Sequence, residues 1–112
     1  MRLRISGPAR RDIAAALTWS EANFGGPARD RYQAVIRQAL ANIATGMAKA
    51  AVLRPELGEG LQLYHLRHAR GSPADVRQPR HLIAFRIEGD VAIILRLLHE
   101  AMDLPSHLRE NA

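Results

Sequence analysis

Apolar residues recur along this chain at two different periods, and the change from one to the other divides it into a helical and an extended half. Leu3 and Ile5 alternate with arginines, which predicts a short opening strand. Ser6-Gly7-Pro8 then supplies a cap candidate with proline in the first turn of a helix. Ala9, Ile13, Leu17 and Phe24, with small Ala16 and Ser20 between them, stand at helical spacing, and Gly25-Gly26 is the stop. After Pro27 a cleaner stripe of Tyr32, Val35, Ile36, Ala39, Leu40 and Ile43 runs to Gly46. Two helices joined by so tight a turn predict an antiparallel hairpin with both stripes in the core.

Residues 47–60 lose periodicity and hold Pro55, Gly58 and Gly60, so they read as a loop from helices to sheet. Leu61–His68 alternates, residues 70–79 form a polar loop, and His81–Ile87 and Val91–Leu98 read as strands around Glu88-Gly89-Asp90. A three-residue loop there puts His81, Ile83, Phe85 and Ile87 on the helix-covered face with Val91, Ile93, Leu95 and Leu97. Arg86, facing Ala92, and Arg96, facing Leu82, then project from the opposite face, about 13 Å apart along the strands. Alanine at either position is expected to leave the fold largely intact.

The predicted class is α+β: a strand, a helical hairpin, then a three-stranded antiparallel sheet with the helices packed on one face. With 112 residues and 47% hydrophobic content the chain supports one core, hence a single domain over 1–112 with 99–112 as its tail. No stretch nears the roughly 20 apolar residues of a membrane span, and the charged start lacks a signal-peptide apolar region, which predicts a cytoplasmic protein with no membrane role. The absence of cysteine removes disulfides, thiolate metal sites and thiol nucleophiles.

A net charge of +5 favours an acidic partner, nucleic acid or protein. Lys49 is the only lysine, a bias that fits genome composition as well as phosphate recognition. The basic character gathers around residues 66–80, with Arg67, Arg70, Arg77 and Arg80 against Asp75. His65 and His68, three apart on one predicted strand, face opposite ways and make no metal pair, and neither metal nor cofactor is expected. His99, ending an apolar strand, reads as a hydrogen-bonded structural residue. Trp19 lies off the first helix's stripe beside Ala15, Ala16 and Ala22. It either covers the sheet edge or second helix, or flanks a groove for a partner.

Several segments, in order, carry a family likeness: Pro8-Ala9 with Asp12, Phe24-Gly25, Ala28 with Tyr32, Arg54-Pro55-Glu56-Leu57-Gly58, Tyr64-His65-Leu66-Arg67, Pro79-Arg80-His81 and Arg96-Leu97-Leu98-His99-Glu100-Ala101-Met102-Asp103. Together they resemble the RelE/ParE toxin superfamily, and within it the ParE branch. The resemblance implies a toxin of a type II toxin–antitoxin, plasmid-stabilisation-like pair that inhibits DNA gyrase. It also implies neutralisation by a ParD-like antitoxin, through which alone operator DNA is reached. Arg86, Arg96, His99, Met102 and Asp103 are then the expected target contacts, and Trp19, Tyr64, Arg67 and Arg80 the antitoxin contacts. The alternatives are a RelE-like ribosome-dependent ribonuclease and an inactive homologue serving as operon co-repressor. Cleavage through a ribose 2′-hydroxyl needs a base, an acid and cationic stabilisation converging on one phosphate. Here His81 is assigned to the core face, Arg86 and Arg96 stand apart, and no tyrosine follows Leu98. Binding is therefore expected to be the mode of action, with no catalytic residue.

Overall fold

A computed structural model describes residues 1–69 and 78–108. The elements are β1 (Arg2–Ile5), α1 (Gly7–Phe24), α2 (Gly26–Ala44), β2 (Val52–Leu53), β3 (Gln62–His65), a 3-10 turn (Leu66–His68), β4 (His81–Glu88), β5 (Val91–His99) and α3 (Leu104–Leu108). Most of the 70–79 loop, with Arg70, Asp75 and Arg77, and the chain after residue 108 lie outside the described residues.

Ser6 caps α1 as its spacing predicts, with its hydroxyl accepting from the Ala9 N–H at 3.1 Å and donating to the Leu95 carbonyl at 2.8 Å. One side chain thus ends β1, starts α1 and ties both to β5. Gly25, at φ 90°, closes α1 and opens α2 in a conformation that a side chain would strain. Ala9, Leu17, Val35, Ile36, Ala39 and Ile43 pack on Ile83, Phe85, Ala92, Ile94 and Leu97 of the sheet. Phe24 does not join them, because at the last position of α1 its ring stands in solvent.

The sheet is larger than expected. Among the described residues it has five strands in the order β1-β5-β4-β3-β2, antiparallel except for the β1–β5 pair. β2 lies in the segment that reads as pure loop, since two residues carry no detectable period. The predicted strand Leu61–His68 ends at His65, whose ring Nδ1 accepts from the Arg67 N–H at 3.1 Å and caps the 3-10 turn. His65 and His68 therefore do not share a strand.

The hairpin register also differs from expectation. Glu88 pairs with Val91, so the connection is the two residues Gly89-Asp90, with Gly89 at φ 61° as a type II′ turn requires at its first position. This slips β5 by one residue, placing Ala92 and Ile94 on the helix face and Ile93 and Leu95 on the other. A bulge at Leu95, between the Phe85↔Ile94 and Ala84↔Arg96 pairs, then restores Leu97 to the helix face. Arg86 faces Ile93 and Arg96 faces Ala84, correcting both assigned partners. The second face is covered too: Leu61, Leu63, Ala84, Ile93, Leu95 and Leu98 bury Leu108 of α3. Pro105 stands in the first turn of this helix, and Leu104 and Leu108 dock it on the sheet.

Candidate functional site

Two polar constellations lie on the sheet's C-terminal strand. The first forms because β1 ends at Ile5, opposite Ile94, leaving β5 from Leu95 onward without a strand neighbour on that side among the described residues. Asp12 fills the gap. Its carboxylate accepts from Arg96 Nε at 2.6 Å and NH2 at 3.0 Å, and from the Leu97 backbone N–H at 3.1 Å. Arg96 NH1 donates in turn to the His107 carbonyl at 3.1 Å. The two side chains are only 13% and 18% exposed. Arg96, expected on the uncovered face, thus joins α1, β5 and α3.

The second gathers at the end where β3, β4 and β5 meet. The Tyr32 hydroxyl lies 2.6 Å from His81 Nδ1, within hydrogen-bond reach, and accepts from the Arg80 N–H at 3.1 Å. The His81 ring stands edge-on to His99, with centroids 5.2 Å apart. His99 Nδ1 accepts from the Ala101 N–H at 3.0 Å, the hydrogen-bonded role its position suggests. Beside them Glu100 takes His65 Nε2 at 2.8 Å on one oxygen and Arg80 NH1 at 3.1 Å on the other. These two donors hold its carboxyl below the usual range, while burial raises the Tyr32 phenol. Burial, then the neighbouring His99, pushes His81 down to about 4.

His81 makes stability depend on pH. The unfolded chain takes up this proton near the ordinary value of 6.5, and the folded chain only near 4. Stability is therefore full above pH 6.5 and falls as pH drops through that window. Urea midpoints at pH 7 and pH 5, where the depressed Glu100 is still ionised, should fall for the parent and fall less for His81→Asn. Equal decreases would place the proton uptake elsewhere.

Of the expected contact residues, Arg80 and His99 meet in this cluster. Asp103 caps α3, its side chain accepting from the Ser106 hydroxyl at 2.7 Å and its carbonyl from the His107 N–H at 3.3 Å. Met102 and Arg67 are exposed. Arg86 lies on the second face as expected, near Glu88. Tyr64 is 2% exposed, its hydroxyl accepting from the Asn42 amide, and so presents no surface of its own. Trp19 covers neither sheet edge nor second helix: it is 59% exposed and stacks edge-on with Phe24. Asp12, Tyr32, His65 and Glu100 carry the geometry without having been assigned roles. Asp12 had a signal, since it sits three residues after Ala9 and four before Ala16 on the core-facing side of α1, where an unpaired carboxylate would be costly.

The family model for the ParE toxin of the type II toxin–antitoxin system parDE matches residues 3–104. The chain belongs to the ParE toxin family. That span runs from the second residue of β1 to the first residue of α3 and takes in both constellations apart from the His107 carbonyl. A search of curated proteins gives no match. As a ParE-family toxin it implies a cognate antitoxin partner. Among the described residues, no helix is long and apolar enough to cross a membrane.

Proposed function

We propose that this ParE-family chain arrests growth in the cytoplasm by binding DNA gyrase, and that a ParD-like antitoxin holds it inactive. The observation that carries this reading is the family match over nearly the whole fold, joined to polar groups whose capacity is already used in holding the fold. Arg96, the cation nearest the chain end of β5, is engaged by Asp12 and the His107 carbonyl. His81, with a pKa of about 4, has no proton to give at pH 7 and is a weak base there. His65 is fixed at both ring nitrogens, by the Arg67 N–H and Glu100. These groups favour a binding toxin over a ribonuclease. Met102, Arg86 and the exposed side of the His99–Asp103 segment are the proposed target contacts, with Arg96 positioning that segment. Trp19 with Phe24, Arg67 and Arg80 are the proposed antitoxin contacts, Tyr64 supporting them from the core.

Induced expression without antitoxin separates the readings. Growth arrest with gyrase-dependent DNA cleavage and intact mRNA is the expected result. Cut mRNA with unchanged plasmid topology would establish the ribonuclease reading instead, and unimpeded growth would leave the inactive co-repressor.

A further inference from the structure

Among the described residues, α3 covers part of the second sheet face through Leu104 and Leu108. Beside Leu108 it leaves a cavity of about 250 Å³, walled by Leu57, Leu61 and Leu95 and lined also by Arg86 and Glu59. A cavity of about 150 Å³ holds a benzene-sized guest, and drug-sized ligands need roughly 300 Å³ or more. The space therefore suits one large apolar side chain, not a cofactor.

Its polar wall decides the guest's chemistry. Arg86 Nε is buried and, among the described residues, has no hydrogen-bond acceptor. Glu88 comes within 3.1 Å but out of line for a hydrogen bond, and its side chain is 59% exposed. An exposed ion pair of this kind contributes little and is readily exchanged, whereas a guanidinium in a partly apolar wall gains from a carboxylate that approaches it squarely. Exposed Glu59 also lines the cavity and disfavours a second acid in the guest.

We propose that this cavity is a docking subsite for an acidic peptide, taking a leucine-sized side chain against Leu57, Leu61, Leu95 and Leu108 while an adjacent carboxylate pairs with Arg86. The partner is a protein segment with one apolar anchor beside one acid, complementary to a chain of net charge +5.

The test uses the full-length, isotope-labelled chain and N-acetylated hexapeptides in a glycine–serine background, bearing a single Leu-Glu or Leu-Gln pair. The Leu-Glu peptide should shift the amide resonances of Leu57, Leu61, Leu95 and Leu108 and the Arg86 Nε–H, and bind at least tenfold more tightly than the Leu-Gln peptide. Arg86→Met should abolish that preference. No binding, equal affinities, shifts mapping elsewhere, or a preference surviving in Arg86→Met would overturn the subsite. Peptide binding without growth arrest would overturn the toxin reading alone, and growth arrest without peptide binding the subsite alone.

Discussion

Asp12→Ala should destabilise the fold by about 3 kcal/mol, a large share of the roughly 5–15 kcal/mol that holds a domain of this size. The substitution removes the two hydrogen bonds that Arg96 makes to Asp12 and the acceptor of the Leu97 N–H, and takes a carboxylate away from a guanidinium that is only 13% exposed. Breaking one side of a buried pair costs more than the pair contributes, because the survivor keeps its desolvation penalty. Arg96→Ala should cost less, since the Leu97 N–H still bonds Asp12, and the double variant Asp12→Leu/Arg96→Met should recover much of the loss. Urea unfolding of the parent, Asp12→Ala, Arg96→Ala and Asp12→Ala/Arg96→Ala gives the coupling of the pair as a double-mutant cycle, with Asp12→Leu/Arg96→Met measured beside them. A cost below about 0.5 kcal/mol for Asp12→Ala would class the pair with ordinary surface ion pairs. A loss of toxicity in Arg96→Ala reports on fold stability first, and only a stability-matched control makes it evidence for target contact.

The same residues show why part of the fold was legible in the sequence and part was not. The helices were, because Ser6, Pro8, Gly25 and the α2 stripe act through neighbours within one or two turns, so spacing alone carries their signal. Strands β4 and β5 were legible as strands, but their faces were not. Register depends on a turn type and a bulge, and neither leaves a period: Gly89-Asp90 reads as well in a three-residue loop as in the observed two-residue one. The one-residue slip moved Ile93 and Leu95 to the second face, and the bulge cancelled it by Leu97. Arg96 falls at the point of cancellation, which is why its surroundings were misjudged. Its partner lies 84 residues away, a separation that pattern reading along the chain does not bridge. The histidine cluster failed for a related reason, drawing Tyr32, His65, His81 and Glu100 from four separate segments. For Trp19 the wheel placed the residue correctly off the stripe, and the structure decides that the off-stripe side meets solvent.

Truncation after Leu98 should abolish cooperative folding and not merely growth arrest. The tail would be a separable contact element if it left the last strand freely, but Leu108 is 1% exposed and packs among Leu61, Leu63, Leu95 and Leu98. Removing a buried leucine typically costs about 2–5 kcal/mol. The truncation also deletes partly buried Leu104, the His107 carbonyl that accepts from Arg96, and Glu100, which ties Arg80 to His65. Together these losses approach the whole stability of a small domain. The expected result is a poorly dispersed amide spectrum, no sigmoidal urea transition, and loss of antitoxin binding along with growth arrest. Target contact is better separated by Met102→Ser, because Met102 is 40% exposed and its replacement should change stability by no more than about 0.5 kcal/mol. That variant should keep its urea midpoint and antitoxin affinity while growth arrest weakens. A truncated chain that still unfolds cooperatively would show that α3 is dispensable to the core, and undiminished growth arrest by Met102→Ser would remove Met102 from the target surface.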